Sequence, residues 1–147
     1  MSSWPPRWLT PVPDDALANS QGRKAIDFID AFATITKDSV GGRAGEPMRL
    51  RDWQRSLLEA AFASDGEGFR HRVNLVGVPR KNGKSALASP IALWSLLTGP
   101  KGGEVYSCAA DKDQARIVFG EAKKMLEAEP ELAELAKIYR DAIEIPG

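Results

Sequence analysis

The chain has 147 residues, of which 43% are hydrophobic and 27% are charged, so it carries enough apolar side chains to bury the core of one domain. Its 20 Lys and Arg residues balance its 20 Asp and Glu residues, which excludes the overall positive charge of proteins that attract nucleic acid through their whole surface. No apolar signal core begins the sequence, and its longest apolar stretch, residues 86–97, is too short to span a membrane.

Residues 1–21 are predicted to form an arm outside the domain that residues 22–147 form. Four prolines oppose regular helix and sheet in this arm, namely Pro5, Pro6, Pro11 and Pro13. We therefore expect extended backbone here. Trp4 and Trp8 either pack on the domain, contact a partner or belong to a disordered segment.

Two amphipathic helices are predicted next, over residues 22–36 and 52–64. In both segments the apolar residues recur at helical spacing and form one face. Glycines and Pro47 between the helices predict a loop over residues 37–47, and Asp52 is placed to cap the second helix.

Residues 73–85 combine a strand signal, a polar loop and the start of a helix. Val73, Leu75, Val76 and Val78 form a short apolar run, which is typical of a strand covered on both faces. A polar loop follows, and Gly83-Lys84-Ser85 opens a run of helix formers that ends at residue 97. This order is the arrangement of a phosphate-binding P-loop.

The residue types of this loop suit an anion. Loop N–H groups and a helix N-terminus together form a donor site for phosphate. Gly83 lets the backbone approach a phosphate, Lys84 would contact the β- and γ-phosphate oxygens, and the Ser85 hydroxyl would be a Mg²⁺ ligand. Val78 stands where the usual pattern has its first glycine, and Gly77 comes one residue too early.

A second strand is predicted at residues 104–109, where Cys108, the single cysteine, is expected to be a buried reduced thiol. Asp111 then has the position of an N-cap, with Gln114 in capping-box position at the start of a long amphipathic helix. His71, the one histidine, is expected to be a solvated residue beside the first strand.

The C-terminal part continues the alternation. Pro130 is predicted to start a short helix, with Leu135 and Tyr139 among the residues that face inwards, and residues 143–145 begin another strand. Strands that alternate with helices indicate an α/β fold with a mainly parallel sheet.

The loop sequence Arg-Lys-Asn-Gly-Lys-Ser after an apolar strand resembles the variant P-loop of tailed-phage terminase large subunits, the ATPases that package DNA into procapsids. Three further segments resemble the same family in the same order: Phe28 and Ile29 with Gly45, Glu46 and Pro47; residues 50–54; and residues 108–116. The resemblance runs from about Gly22 to the C-terminus. It implies a P-loop NTPase-like domain, with a mainly parallel sheet flanked by helices, of which this chain holds the N-terminal portion.

The resemblance also implies ATP and Mg²⁺ as cofactors and assigns roles to residues. Gln54 would read the adenine edge. Arg80 would be an arginine finger supplied in cis or, alternatively, a solvated or salt-bridged cation. Lys84 would act with it on the phosphates, and Ser85 would bind the metal. The full nucleotide-binding set is Gln54, Pro79, Arg80, Lys81, Asn82, Gly83, Lys84 and Ser85, although Lys81 also fits an exposed loop charge and Asn82 a residue that supports the turn.

Partners follow from the resemblance as well. They are double-stranded DNA, the small terminase subunit and the procapsid portal, with the motor as a homo-oligomeric ring in the cytoplasm of the bacterial host. Basic residues of the helix after Asp111 offer a face for DNA or a neighbouring subunit, but acidic residues on the same helix favour a solvated mixed face.

The sequence also lacks features of the intact family. No apolar strand ends in Asp-Glu, Glu144 follows only one apolar residue, and the nuclease domain would lie beyond Gly147. We therefore expect nucleotide binding with little or no turnover. The alternatives are a fragment of another P-loop motor, such as a helicase, or a non-catalytic interaction module with a decayed P-loop.

Overall fold

A computed structural model of the chain describes residues 9–147. This part of the chain contains six helices and two strands: α1 Asp14–Ala18, α2 Gly22–Phe32, α3 Asp52–Ala61, α4 Lys84–Thr98, α5 Lys112–Ala128, α6 Pro130–Ala133, β1 Lys137–Ile138 and β2 Ile143–Glu144. It divides into two compact units. The first comprises the residues up to Asp30 and Arg49–Gly77, and the second comprises Ala31–Met48 and Val78–Gly147.

The first unit is built on the close approach of α2 and α3. Ile29 and Leu58 are fully buried in its core. Gly22 lies so close to the backbone of α3 that a methyl group at this position would collide with the Leu58 carbonyl. The Ser20 hydroxyl fixes this approach, since it donates to the Glu59 carbonyl at 2.6 Å and accepts the Gly22 N–H at 3.0 Å.

The arm predicted to be extended is partly helical. Helix α1 follows directly after Pro13, which occupies its N-cap position with φ −60°. A proline before the first turn costs the helix no hydrogen bond, because the first N–H groups of a helix lack an internal acceptor. The prediction for residues 14–18 was therefore wrong, and Trp4 and Trp8 lie outside the described residues.

The second unit is built on the packing of α4 against α5. Leu93 and Trp94 of α4 and Met125 and Leu126 of α5 are buried in its core. Strands β1 and β2 pair antiparallel, with Lys137 opposite Glu144 and Ile138 opposite Ile143. No helix among residues 9–147 has the length and apolar character that crossing a membrane requires.

The loop between α2 and α3 is a tight hairpin. Ile35 donates its N–H to the Glu46 carbonyl at 2.8 Å, and Met48 donates to the Ala33 carbonyl at 2.9 Å. The Glu46 carboxylate also accepts the Arg43 N–H at 3.0 Å. These bonds explain why α2 ends at Phe32 and not at residue 36 as predicted, since the following backbone pairs across the hairpin.

The two predicted central strands are not paired. Val73 and Leu75 are 87% and 98% exposed, and no backbone group of residues 73–78 or 104–109 is hydrogen-bonded to another described residue. A parallel strand gains both its hydrogen bonds and its cover from neighbouring elements, and the described residues supply none here. The described residues therefore form helices with one small antiparallel ladder. Cys108 is exposed, whereas a buried thiol was predicted.

Four smaller predictions were also wrong. Leu135 and Tyr139 are about half exposed, because α6 ends at Ala133 and the helical spacing stops with it. Asp52 is the first residue of α3 and not its cap, which is Arg51. His71 is half-buried, and its Nε2 is buried without a hydrogen-bond partner in the described part of the chain.

Candidate functional site

The loop before α4 has an unusual backbone. Gly83 is the N-cap of α4 and adopts the left-handed conformation, with φ 75° and ψ 24°. Lys81, two residues earlier, has φ 63°. A side chain other than glycine in this region costs on the order of 1–3 kcal/mol and persists where the surrounding structure enforces it, which happens often at ligand-binding sites.

The side chain of Asn82 holds this loop in shape. Its Nδ2 donates to the Pro79 carbonyl at 3.2 Å and to the Arg80 carbonyl at 3.3 Å. Both bonds stay within the loop, and they occupy carbonyl groups while leaving the loop N–H groups unused. The Asn82 side chain therefore bridges two carbonyl groups of the turn.

The N–H groups of the loop point to an anion site. None of the N–H groups from Arg80 to Ala86 donates to another described residue, and the first one to do so is that of Leu87, to the Gly83 carbonyl at 2.9 Å. Helix α4 is 15 residues long, so these donors lie at the positive end of a substantial dipole. Unpaired N–H groups at such a helix start bind phosphate groups.

The cations of the loop are available to such an anion. Arg80, Lys81 and Lys84 are all exposed, and none forms an ion pair with a residue in the range 9–147. Lys84 and Ser85 are the first two residues of α4. The loop therefore combines positive charge, backbone donors and a hydroxyl group, which is the chemistry that a triphosphate requires.

Ser85 offers its side-chain hydroxyl oxygen as a ligand for a metal ion. Its hydroxyl is exposed and has no hydrogen-bond partner among the described residues. Mg²⁺ prefers oxygen, and it needs few protein ligands when phosphate oxygens and water complete its shell. Residues 9–147 contain no group of three or more His, Cys, Asp or Glu side chains that would hold a metal without such help.

Gln54 belongs to the first unit, whereas residues 79–85 belong to the second. It lies half-buried in the first turn of α3, where its Oε1 accepts the Arg51 N–H at 2.8 Å. Its Nε2 has no partner within the described chain. One half of the amide therefore caps the helix, and the other half is available as a donor.

Gln114 was predicted to act as this kind of cap for α5, and it does so only in part. The Asp111 carboxylate accepts the Gln114 N–H at 2.9 Å, as an N-cap should. The Gln114 side chain makes no return bond to the Asp111 N–H among the described contacts. A reciprocal contact of this type is made at the start of α3, where the Gln54 side chain accepts the Arg51 N–H.

The basic residues of α5 are partly neutralised. Arg116 pairs with Asp141 at 2.9 Å, and Lys123 pairs with Glu127 at 3.9 Å. Such pairing agrees with a solvated mixed face and leaves little net charge for a DNA-binding face on this helix.

One buried group next to the loop was not singled out from the sequence. Ser89 is 0% exposed, and its Oγ lies 2.8 Å from the Ser85 carbonyl oxygen and 3.3 Å from Glu121 Oε2. The available signal was its spacing, since a serine in an apolar run one helical turn after Ser85 reaches back to that carbonyl.

Comparison with known proteins places this loop in a family context. The model of the terminase large subunit ATPase domain matches residues 52–146. The large terminase subunit of Enterobacteria phage HK97 is 31% identical over 122 residues, which are 81% of this chain and 23% of that protein. The crystal structure of the HK97 large terminase aligns with a TM-score of 0.65 and 29% identity, over 84% of this chain and 25% of the other. This chain thus spans about a quarter of the length of these relatives.

Proposed function

Because the chain belongs to the family of terminase large subunit ATPase domains, we propose that it binds ATP with Mg²⁺ at residues 79–85. It would thereby form the nucleotide-binding part of a motor that couples ATP hydrolysis to the packaging of double-stranded DNA into procapsids. The observation that carries the proposal is the row of N–H groups from Arg80 to Ala86 that have no partner among residues 9–147, beside an exposed Lys84 and Ser85.

Each group of the loop has a distinct task in this proposal. The N–H groups hold the phosphate oxygens, and the Lys84 ammonium contacts the β- and γ-phosphates. The Ser85 hydroxyl is a ligand of Mg²⁺, which when bound neutralises charge on the phosphates. Pro79, Lys81 and Asn82 shape the turn around them, and Gly83 begins the helix.

Arg80 is proposed as the arginine that stabilises charge on the γ-phosphate as it leaves. A guanidinium group supplied in cis performs this task in some P-loop enzymes. Arg80 is exposed and has no ion pair within residues 9–147, which argues against the salt-bridged alternative and leaves its guanidinium group accessible to a phosphate, as a solvated cation would also be.

Gln54 is proposed to read the adenine edge through its side-chain amide. Residues 50–54 resemble the adenine-recognition segment of the family, and the Nε2 of Gln54 has no partner within the described chain. An N–H donor beside a carbonyl acceptor distinguishes adenine from guanine, whose corresponding edge has the opposite pattern.

We also propose that residues 73–78 and 104–109 are strands of a mainly parallel sheet that further strands complete. Their apolar side chains are exposed in this structure, and their backbone groups are unpaired within the described residues.

The proposed partners of the motor are double-stranded DNA, the small terminase subunit and the procapsid portal. The proposed assembly is a ring of copies in the host cytoplasm.

The test is a titration of the chain with fluorescent ATP in the presence of Mg²⁺. Lys84→Ala should weaken binding roughly tenfold or more, because a charge-assisted contact with phosphate is lost. Lys101→Ala is the matched control, since Lys101 is an exposed lysine of the same unit beyond the end of α4. Equal affinities of the wild type and Lys84→Ala would contradict the proposed site.

The same titration tests one of the two rival functions, the non-catalytic interaction module. A decayed P-loop that serves only as a structural turn binds no nucleotide, and its lysine would be expected in a salt bridge, which Lys84 lacks among residues 9–147. A helicase fragment would bind ATP equally well, but the family match over residues 52–146 favours the packaging ATPase.

A further inference from the structure

A buried hydroxyl joins α5 to the first turn of α4. The Ser89 Oγ–H is shared between two acceptors, the Ser85 carbonyl at 2.8 Å and, in a longer contact, the Glu121 carboxylate on α5 at 3.3 Å. Ser89 is 0% exposed, so water does not compete for these contacts. The backbone carbonyl of Ser85 is therefore connected to α5 through one side chain, that of Ser89.

The first turn of α4 needs such support because of Pro90. Proline has no N–H, so the Ala86 carbonyl one turn earlier lacks its normal helical donor. The loss comes next to Lys84 and Ser85, whose placement decides how well they reach a ligand. The additional bond from Ser89 to the Ser85 carbonyl restores a constraint at this point of the helix.

We infer that Ser89 and Glu121 are positioning residues that hold the Ser85 hydroxyl in place for Mg²⁺. This inference rests on the function proposed for the loop. Glu121 acts through Ser89, because it contacts the Ser89 hydroxyl and reaches Ser85 only by way of it. A shift of α5 along α4 would consequently move the metal ligand.

Binding of the metal and binding of the phosphates depend differently on the position of the α4 backbone. Lys84 reaches the phosphates on a long flexible side chain, which tolerates a small shift of the backbone. The Ser85 hydroxyl is on a short side chain, and Mg²⁺ demands near-ideal octahedral geometry. Loss of the Ser89 contact should therefore weaken binding of ATP with Mg²⁺ more than binding of ATP without it.

The experiment measures the affinity of the whole chain for fluorescent ATP with Mg²⁺ and with a chelator in its place. We expect Ser89→Ala to lower the ratio of the affinity with Mg²⁺ to the affinity without it about threefold to tenfold, as expected for one hydrogen bond. Glu121→Ala should lower this ratio in the same direction but less, because its contact with the Ser89 hydroxyl is the longer of the two. Glu121→Gln should retain the wild-type ratio, because its amide donates to the Ser89 oxygen and leaves the Ser89 proton to the Ser85 carbonyl. Ser95→Ala on α4 and Glu127→Gln on α5 are the matched controls.

The double variant Ser89→Ala/Glu121→Ala tests the order of action. If Glu121 acts through Ser89, the double variant should be no worse than Ser89→Ala alone. Circular dichroism of each variant verifies that it is folded. If Ser89→Ala does not fold, the Mg²⁺ ratio of Glu121→Ala tests the positioning role by itself, because Glu121 is only half-buried.

Two failures are distinguishable. If Lys84→Ala binds as tightly as the wild type, the proposed nucleotide site is wrong and this inference falls with it. If Lys84→Ala weakens binding but the Mg²⁺ ratio of both Ser89→Ala and Glu121→Ala equals that of the wild type, the site stands and the positioning role is wrong.

Discussion

Gln54 shows how one side chain can serve both the fold and a ligand. Its Oε1 caps α3 by accepting the Arg51 N–H, and its Nε2 is the donor proposed to meet adenine. Arg51 itself cannot return the capping contact, because a guanidinium group has no acceptor. The Oε1 carbonyl has a second lone pair for adenine, so it can serve both roles, whereas the Nε2 donor serves only the nucleotide and can be removed separately by substitution.

We predict that Gln54→Glu keeps the stability of the chain and loses its preference for ATP over GTP. Glutamate supplies the same acceptor oxygen to the helix start but no N–H donor, so the free energy of unfolding should change by less than about 0.5 kcal/mol. Gln54→Ala loses both roles and should also destabilise by about 0.5–2 kcal/mol. Urea unfolding and competitive nucleotide titration measure the two effects.

The ratio of ATP to GTP affinity removes the general effect of the added negative charge, since both nucleotides carry the same phosphates. A preference for ATP that survives in both variants would show that Gln54 is only a helix cap.

The helices are held together by specific close approaches as well as by apolar faces. Gly22 shows this for α2 and α3, where the backbone of one helix lies directly against the other. A helical periodicity predicts which face is apolar, but it does not predict that one position on the face must lack a side chain. The close approach of α2 to α3 therefore depends on Gly22, which has no side chain.

We predict opposite effects for alanine at two helical glycines. Gly22→Ala should destabilise the chain by roughly 2 kcal/mol or more, because its methyl group meets the rigid backbone at Leu58. Gly120→Ala in α5 brings the new methyl group within 4 Å of no atom beyond its neighbouring residues and the backbone of its own helix, and it should stabilise by about 0.5–1 kcal/mol through helix propensity. Thermal unfolding of both variants is the measurement. A neutral Gly22→Ala would mean that α2 and α3 pack less tightly than described.

At the scale of the whole molecule, the exposed strand-like segments are the feature that departs most from an ordinary domain. Leu75 is 98% exposed, although it belongs to an uncharged apolar run that would normally be core. Residues 73–78 therefore present exposed apolar side chains on backbone that is unpaired within the described residues. Such a segment can accept another strand, which is also a risk for aggregation.

We predict that Leu75→Ala changes the free energy of unfolding of this chain by less than about 0.5 kcal/mol, because the side chain buries almost nothing. Leu58→Ala should cost about 2–5 kcal/mol, since Leu58 is 1% exposed in the core of the first unit. Equilibrium urea unfolding at low protein concentration gives both values. A large loss for Leu75→Ala would show that residues 73–78 are covered in solution.

Features that depend on neighbouring residues along the chain could be predicted from the sequence. Helical periodicity located the major helices, the Asp111 cap marked the start of α5, and Gly83-Lys84-Ser85 marked the loop that begins α4. These features are local, because hydrogen bonds and caps of a helix join residues only a few positions apart.

Features that depend on partners distant in the sequence could be described only from the folded chain. Residues 73–78 have the composition of a strand, but a strand forms only where another segment pairs with it, and none of the described residues does so. The contact of Ser89 with Glu121 joins residues 32 positions apart on two helices. No periodicity encodes such a contact, because it depends on how the helices pack.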